Sequence, residues 1–274
     1  MVRTGRAVGV LAVFGLMVAG CSSSTSTAPA TPATTTTTTS TASSTTSKPE
    51  PKKLPLAGKV VGIDPGHNGG DFKDPTFINH LVWNGREQEP CDTTGTATED
   101  GYTEAEFNWN VASYLRSDLI AEGARVVMTR LSNDGVGPCV TMRAEIIDRA
   151  RADVAIDIHA DGAAPTGRGV TVLEPVADGP NDKVIKSSER FGAILLARYR
   201  ALTGMPASTY YGVNGIKFRD DLAGLNLTTV PKVLIECGNM HNPTDAALLV
   251  KPAFQRLTAL AFAQAITEFL IGRR

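Results

Sequence analysis

Two histidines and one glutamate each stand at the end of a short apolar run of this sequence. His67 follows residues 60–64, His159 follows residues 154–158, and Glu236 follows residues 233–235. Such runs are typical of buried strands, and open parallel sheets bind ligands at the carboxyl ends of their strands. Imidazole and carboxylate groups bind zinc and also transfer protons in hydrolysis. The pattern therefore predicts a metal hydrolase built on an α/β sheet.

A third ligand is expected, because a catalytic zinc typically has three protein ligands and keeps a fourth position for water. The helix predicted to begin near residue 102 offers Glu99, Glu104 and Glu106. At about 100° per residue, Glu104 lies within roughly 60° of the apolar stripe of the helix, whereas Glu106 lies about 160° away and Glu99 precedes the helix. The stripe consists of Phe107, Val111, Leu115 and Leu119. A carboxylate on the buried face needs a partner. We therefore expect His67, Glu104 and His159 to bind Zn²⁺ and Glu236 to act as the catalytic base or acid.

Other polar residues near these positions leave two interpretations open. Asp64 and Asp157 could orient the imidazoles from behind, or they could cap the ends of their strands. Asn108 could be a polar neighbour of the site or a core amide, and the pair Tyr210-Tyr211 could pack in the fold or line a groove. His80 and His241 stand in polar surroundings outside any predicted strand, and we expect both at the surface.

Strand and helix patterns alternate along most of the chain. Strands are predicted at 59–64, 125–130, 154–159, 169–174 and 230–236, and helices at 103–122, 141–152, 183–203 and 252–270. This alternation predicts a single α/β domain whose mostly parallel, twisted sheet is flanked by helices on both faces. Two long stretches, 68–102 and 204–229, have no clear periodicity. Long irregular loops are often functional, so we expect both stretches to contact substrate.

The first fifty residues have the composition of an export signal and a linker. Arg3 and Arg6 precede an apolar run that is too short for a membrane span, which predicts a signal peptide over residues 1–20. The signal ends in Val18-Ala19-Gly20-Cys21, which resembles the bacterial lipobox, so we expect Cys21 to be lipidated; an ordinary cleaved signal is the alternative. Ser, Thr, Ala and Pro dominate the following residues, and we expect 21–53 to be a flexible tether and 54–274 to be the folded domain.

Charge and cysteine content restrict the partners and the compartment. Without residues 1–20 the chain carries 25 basic and 28 acidic residues, a near-neutral balance that favours no nucleic-acid partner. Exported proteins meet an oxidising compartment, so we predict a disulfide between Cys91 and Cys139. It would close a loop of roughly fifty residues and contribute about 4 kcal/mol on the chain-entropy model. Cys237 follows Glu236 on a buried strand and is expected to be an inert core thiol.

Four motifs together resemble the zinc-dependent N-acetylmuramoyl-L-alanine amidases of the Amidase_3 family, and its actinobacterial members most of all. They are Asp64-Pro65-Gly66-His67-Asn68-Gly69-Gly70; Glu104 with Asn108, Val111 and Ala112; Ile156-Asp157-Ile158-His159-Ala160-Asp161; and Val233-Leu234-Ile235-Glu236-Cys237-Gly238-Asn239 with Asn242 and Asp245. The resemblance covers roughly residues 58–270. Two positions depart from the family pattern, Asn239 in place of an aromatic residue and Asp157 in place of a serine.

The resemblance implies a peptidoglycan hydrolase that cleaves the amide between N-acetylmuramic acid and the L-alanine of the stem peptide. Zinc would supply hydroxide, and Glu236 would carry the proton to the leaving nitrogen. Arg168, Lys217 and Arg219 are candidates for binding stem-peptide carboxylates. We expect a monomer, exported and lipid-anchored on the outer face of the cell membrane, facing the cell wall or periplasm. The alternatives are a zinc carboxypeptidase that acts on wall peptides and a non-catalytic lipoprotein that binds wall fragments.

Overall fold

The computed structural model describes residues 53–272 of the 274-residue chain. The predicted signal peptide, Cys21 and nearly all of the predicted tether therefore lie outside the described residues. The strands of the described part are β1 (Val60–Pro65), β2 (Leu81–Trp83), β3 (Gln88–Pro90), β4 (Arg125–Met128), β5 (Val154–Asp161), β6 (Thr171–Pro175), β7 (Ile216–Arg219) and β8 (Lys232–Asn239).

Six of these strands form one twisted sheet in the order β4-β1-β5-β8-β6-β7. Strands β4, β1, β5 and β8 run parallel to one another, β6 is antiparallel to β8, and β7 is parallel to β6. The remaining two strands, β2 and β3, form a separate antiparallel hairpin. The prediction of a single α/β domain with a mostly parallel sheet is confirmed.

Helices cover both faces of the sheet, as predicted. They are α1 (Pro75–Ile78), α2 (Glu104–Ala121), α3 (Val140–Arg149), α4 (Ile185–Thr203), α5 (Ala223–Asn226), α6 (Pro243–Leu249) and α7 (Pro252–Ile271). The main core lies where α2, α4 and α7 pack on alternate residues of the strands, such as Ile156 and Ile235. The opposite face carries two small apolar clusters under α3 and α5, together with buried polar residues such as Asp157 and Lys232. His159 and Glu236 occupy strand positions on this thinly covered face, whereas Glu104 comes from α2 on the other face.

The two stretches that showed no periodicity are not irregular throughout. Residues 68–102 contain a 3₁₀ turn at Asp71–Lys73, α1 and the β2–β3 hairpin, and residues 204–229 contain β7 and α5. Each of these elements has only three or four residues. Elements of this length are too short to show helical or strand periodicity in a sequence.

The beginning of α2 fixes the position of Glu104. Thr103 is the N-cap, and its side chain accepts a hydrogen bond from the backbone N–H of Glu106. Glu104 is thereby the first helical residue, and it lies on the same buried side as Phe107 and Val111, whereas Glu106 is exposed. The helical angle thus correctly separates the two glutamates.

Within residues 53–272, no single helix is long and apolar enough to cross a membrane. The neighbouring helices α6 and α7 meet that test of length and composition only when taken together, with a bend of 81° between them.

Candidate metal centre and active site

His67, Glu104 and His159 come together at the carboxyl ends of β1 and β5. Nε2 of His67 lies 3.2 Å from Oε2 of Glu104, and Nδ1 of His159 lies 2.8 Å from Oε1 of the same carboxylate. One ligand atom from each residue falls within 4.8 Å of the others. Tetrahedral zinc with bonds of about 2.0–2.1 Å holds its ligand atoms about 3.3 Å apart. The three side chains therefore have a spacing that suits a single zinc ion.

Two glycines and one unusual backbone conformation allow this close approach. A Cβ atom on Gly66 would lie 2.1 Å from the ring of His159, and one on Gly95 would lie 2.6 Å from the ring of His67. His67 itself has a φ of 56°, a left-handed conformation that is uncommon for residues other than glycine. Strained backbone of this kind occurs where surrounding contacts hold it for a function.

The three side chains shift each other's protonation. Burial disfavours the charged form of His67, but the Glu104 carboxylate outweighs it and raises the pKa of His67 to about 9. Burial also opposes the charged form of His159, and the Asp157 and Glu104 carboxylates raise its pKa well above 6.5. Burial would raise the pKa of Glu104, yet the two imidazoles lower it well below 4.5. The carboxylates around the two rings therefore favour positive charge at this point of the structure.

Behind each imidazole, a further acceptor faces the nitrogen that points away from Glu104. Nδ1 of His67 lies 2.8 Å from the carbonyl oxygen of Thr93 and 3.5 Å from Oδ1 of Asp92. Nε2 of His159 lies 3.3 Å from Oδ1 of Asp157, an ion-pair contact without hydrogen-bond alignment, since this oxygen is buried and has no hydrogen-bond partner. Such acceptors orient the metal-binding histidines of proteins and fix their tautomers. Of the two open interpretations for Asp157, the geometry favours the orienting one.

Asp64 does not contact either imidazole. It accepts hydrogen bonds from Thr129 at 2.6 Å, from Arg143 at 3.0 Å and from Lys232 at 2.6 Å. Asn108 also has a defined role near the site, because its Nδ2 donates to the carbonyl oxygen of Gly66 at 3.1 Å and so supports the turn before His67.

The charges of this buried cluster suit a divalent cation. Continuous ion pairs join the two imidazoles to four carboxylates and two cations: Asp64, Asp92, Glu104 and Asp157, with Arg143 and Lys232. With neutral imidazoles, four negative and two positive groups leave a formal charge of −2. A zinc ion would neutralise this charge, so the donor set and its charge both fit this metal.

Glu236 lies beside the three candidate ligands on the next strand. It is paired directly with His159 in the β5–β8 register, and its side chain lines the same cavity of about 370 Å³ as His67, Glu104 and His159. Its Oε2 atom is buried without a hydrogen-bond partner. Burial raises the pKa of Glu236 to about 8; the charge of His159 opposes this shift, and those of Glu104 and Asp161 add to it. A carboxyl group of this kind can hold a proton near neutral pH and release it to a reacting group.

Residues 61–268 match the family model described as N-acetylmuramoyl-L-alanine amidase, Amidase_3. The chain belongs to this amidase family. The N-acetylmuramoyl-L-alanine amidase Rv3717 of Mycobacterium tuberculosis is 36% identical over 222 residues, which span 78% of this chain and 88% of that relative. Among solved structures, the amidase Ami1 of Mycobacterium smegmatis has a TM-score of 0.75 and 39% identity, with 80% of this chain and 99% of that one covered. The apo form of Ami1 from Mycobacterium abscessus has a TM-score of 0.74 and 39% identity, over 78% of this chain and 100% of that one.

Several polar residues around the amidase site have structural partners. Arg168 is paired with the buried Asp245 at 2.9 Å, whereas Lys217 is exposed and lies over the ring of Tyr211. Of the three basic candidates, only Arg219 lines the cavity, and it donates to Asp221 and to the hydroxyl of Tyr211.

Two residues at the edge of the amidase site have more specific contacts than the sequence indicated. His241 is exposed, as expected, but its Nε2 lies 2.9 Å from Oγ1 of Thr96, a cavity residue. Tyr210 donates from its hydroxyl to Oδ2 of Asp161 at 2.8 Å. Tyr210 itself does not line the cavity, but it contacts Asp161, which does.

Cys91 and Cys139 form a disulfide in the structure, with 48 residues of sequence separation. His80 is exposed beside it, 3.6 Å from Sγ of Cys139. His80, Cys91 and Cys139 lie close enough together to bind a metal, but both sulfurs are bonded to each other in the disulfide, so neither is available as the thiolate that a metal would bind. Cys237 is buried and free, as expected for a core thiol.

The sequence did not draw attention to Asp92, Arg143 or Lys232, although all three belong to the buried cluster. Each is a charged residue of a type that is usually exposed. The only signal available was position: Asp92 follows a cysteine, Arg143 is in the first turn of α3, and Lys232 begins a strand that ends in the site.

Proposed function

We propose that this protein is a zinc-dependent N-acetylmuramoyl-L-alanine amidase. It would hydrolyse the amide between the lactyl group of N-acetylmuramic acid and the L-alanine of a peptidoglycan stem peptide. The observation that carries the proposal is the placement of Glu236. Its buried, unpartnered carboxyl oxygen lines the same cavity as His67, Glu104 and His159. Family membership supports the choice of bond.

Each residue has a defined part in this reaction. Zinc bound by His67, Glu104 and His159 would supply a Lewis acid for the carbonyl and would make water acidic enough to attack near neutral pH. Glu236 accepts the proton of the attacking water and donates it to the amide nitrogen as the C–N bond breaks. The products are the lactyl carboxylate and a stem peptide with a free L-alanine amine. Because no hydrogen bond occupies its Oε2 atom, this oxygen of Glu236 is free to take the proton of the attacking water.

Replacement of Glu236 by Gln tests its assigned part. The amide keeps the size of the side chain but cannot accept the proton, so turnover is expected to fall by about 10²–10⁴-fold. The zinc content should stay at the wild-type value. Glu174→Gln is the matched control, because it makes the same exchange at a buried glutamate outside the cavity. Wild-type activity of the Glu236 variant would contradict the role.

Replacement of Glu104 by Ala tests the ligand set. Elemental analysis is expected to show loss of metal, because the two histidines alone cannot complete the site. Full metal occupancy in this variant would show that Glu104 is not a ligand and would point to Glu99 or a loop residue instead.

The products of defined muropeptides distinguish the amidase from its two alternatives. The amidase releases an intact stem peptide with an L-alanine N-terminus. A zinc carboxypeptidase would instead remove D-residues from the C-terminus, and a non-catalytic wall-binding lipoprotein would bind the muropeptide without product. Either of these results would overturn the proposal.

We also propose that the chain is exported and anchored by a lipid on Cys21, with residues 21–53 as a tether and 54–274 as the catalytic domain. The support is the sequence of residues 1–21, a basic and then apolar segment that ends in a lipobox-like cysteine. Cys21→Ala should move the protein from the membrane fraction to the soluble fraction. Unchanged fractionation would favour an anchor of another kind. We expect the protein to be a monomer, and sedimentation of the domain measures its oligomeric state.

A further inference from the structure

Arg143 lies in the first turns of α3, directly beneath the candidate metal centre, and only 3% of its surface is exposed. A guanidinium group carries five N–H donors, and all five have acceptors here. Nε donates to the carbonyl of Pro138, Nη1 to Pro65 O and Asp64 Oδ1, and Nη2 to His67 O and Asp92 Oδ2, at distances of 2.8–3.1 Å. The group is therefore fixed in position and orientation.

Two of these acceptors are carbonyl oxygens on either side of Gly66. Pro65 O and His67 O both bind the guanidinium, so the planar group spans the turn that carries the first candidate ligand. His67 has a left-handed backbone conformation, which persists only where neighbouring contacts determine it. Arg143 supplies two such contacts, one of them to His67 itself.

A third acceptor connects Arg143 to the ring of His67. Asp92 binds Nη2 of Arg143 through Oδ2, and its Oδ1 accepts from the backbone N–H of Thr93 at 2.8 Å. The carbonyl of Thr93 in turn lies 2.8 Å from Nδ1 of the His67 ring. Arg143 thus fixes both the backbone of His67 and the acceptor behind its ring.

The contact of Arg143 with Asp64 connects it to the imidazole of His159. Asp64 bridges Arg143 to Lys232, a lysine only 1% exposed, whose ammonium also lies 3.1 Å from Asp157 behind His159. Buried ion pairs usually stabilise a fold no better than apolar residues of similar volume would. A chain of charges that ends at both candidate ligands is therefore better explained by positioning than by stability.

We propose that Arg143 is a positioning residue of the metal centre, which holds His67 in its strained conformation with Nε2 directed toward Glu104. The proposal rests on the metal site of the proposed function. Arg143 does not line the cavity that contains Glu236, but it lines a smaller neighbouring cavity of about 180 Å³ together with His67 and His159. Its five N–H donors are all occupied, so Arg143 acts through the residues that it binds.

Arg143→Lys tests this role with the charge held constant. A lysine ammonium is a point charge with three donors and lacks the planar fork of arginine, so it cannot serve two aspartates and three carbonyls at once. The Zn²⁺ dissociation constant is expected to rise by about 10–100-fold, the range seen when partners behind metal ligands are lost. It is measured by competition with a chromophoric chelator at a temperature where circular dichroism shows the variant to be folded. The visible absorption of the Co²⁺-loaded variant should also change, because it reports ligand geometry.

Arg198→Lys is the matched control, since it makes the same exchange at an arginine that pairs with Glu268 between α4 and α7. It should leave both metal readouts at wild-type values. If Arg143→Lys loses stability but keeps the wild-type Zn²⁺ affinity and Co²⁺ spectrum, Arg143 is only structural and the proposal is overturned. If the wild type itself binds no Zn²⁺, this result contradicts the proposed function and not only the role of Arg143.

A second variant tests the positioning role of Arg143 if Arg143→Lys does not fold. Asp92→Asn keeps the side-chain volume but removes the carboxylate that connects the guanidinium to the loop behind His67. A several-fold weaker Zn²⁺ affinity is expected, and an unchanged affinity would overturn the proposal.

Discussion

The disulfide between Cys91 and Cys139 is expected to contribute about 4 kcal/mol to the free energy of unfolding. The two residues are 48 positions apart, and the chain-entropy model assigns a loop of that length an entropy loss worth about 4 kcal/mol at 25 °C. Both cysteines are almost fully buried, so alanine is the appropriate replacement because it avoids leaving a buried hydroxyl. The comparison is therefore between the oxidised wild type and the double variant Cys91→Ala/Cys139→Ala.

The position of the disulfide gives this prediction a second readout. Cys91 immediately precedes Asp92, and Cys139 is the N-cap of α3, the helix that carries Arg143. The disulfide thus holds together two segments whose side chains form an ion pair at 3.0 Å beneath the metal centre. Its loss should weaken zinc binding as well as lower stability.

Urea unfolding measures the first effect. Both proteins are unfolded in the presence of a chelator, because bound metal would stabilise the native state on its own. For a domain of this size, about 4 kcal/mol corresponds to a melting temperature lower by about 8–16 °C. The reduced wild type should behave like the double variant. A stability difference below about 1 kcal/mol, or equal stability of the reduced and oxidised wild type, would refute the entropic reasoning.

Three further predictions concern the site, the core and pH. Gly66→Ala should weaken zinc binding about tenfold or more, because its methyl group would lie 2.1 Å from the His159 ring; chelator competition measures this, and wild-type affinity would count against it. Leu115→Ala should lower the unfolding free energy by about 2–5 kcal/mol, since Leu115 is fully buried; a loss under about 1 kcal/mol in urea would be inconsistent with that packing. Burial, assisted by Glu189, raises the pKa of Glu174 from 4.5 to about 7, so the folded state holds this proton longer than the unfolded state, and stability falls as pH rises through that window. Glu174→Gln should remove this fall and be more stable than the wild type by about 1–2 kcal/mol at pH 8, whereas equal differences at pH 5 and pH 8 would exclude the explanation.

Much of the fold could be predicted because its principal elements have local signatures. Short apolar runs identify β5 and β8, and helical periodicity identifies α2 and α7, whatever the rest of the chain does. The β2–β3 hairpin and the helix α5 have no such signature, because elements of three or four residues depend on tertiary contacts. The backbone N–H of Ala223 at the start of α5, for example, donates to Glu89 on β3.

The residues of the candidate site also differ in whether the sequence carries a local signal for them. The positions of His67, His159 and Glu236 could be predicted, since residues at the carboxyl ends of parallel strands share one edge of the sheet. Glu104 could be chosen over Glu106, because helical angle is a local property. These side chains come from four segments, but each carries its own signal in the sequence.

The sequence by itself thus determined the fold class, the family and the set of candidate ligands. Only the tertiary structure determined which charged residues lie behind these candidate ligands. Arg143 and Lys232 look like ordinary surface charges in the sequence, and their burial depends on acceptors more than fifty residues away, such as Asp64. The physical reason is that strand ends and helix faces follow from local periodicity, whereas the partners of a buried charge are known only when the segments that supply them have packed together.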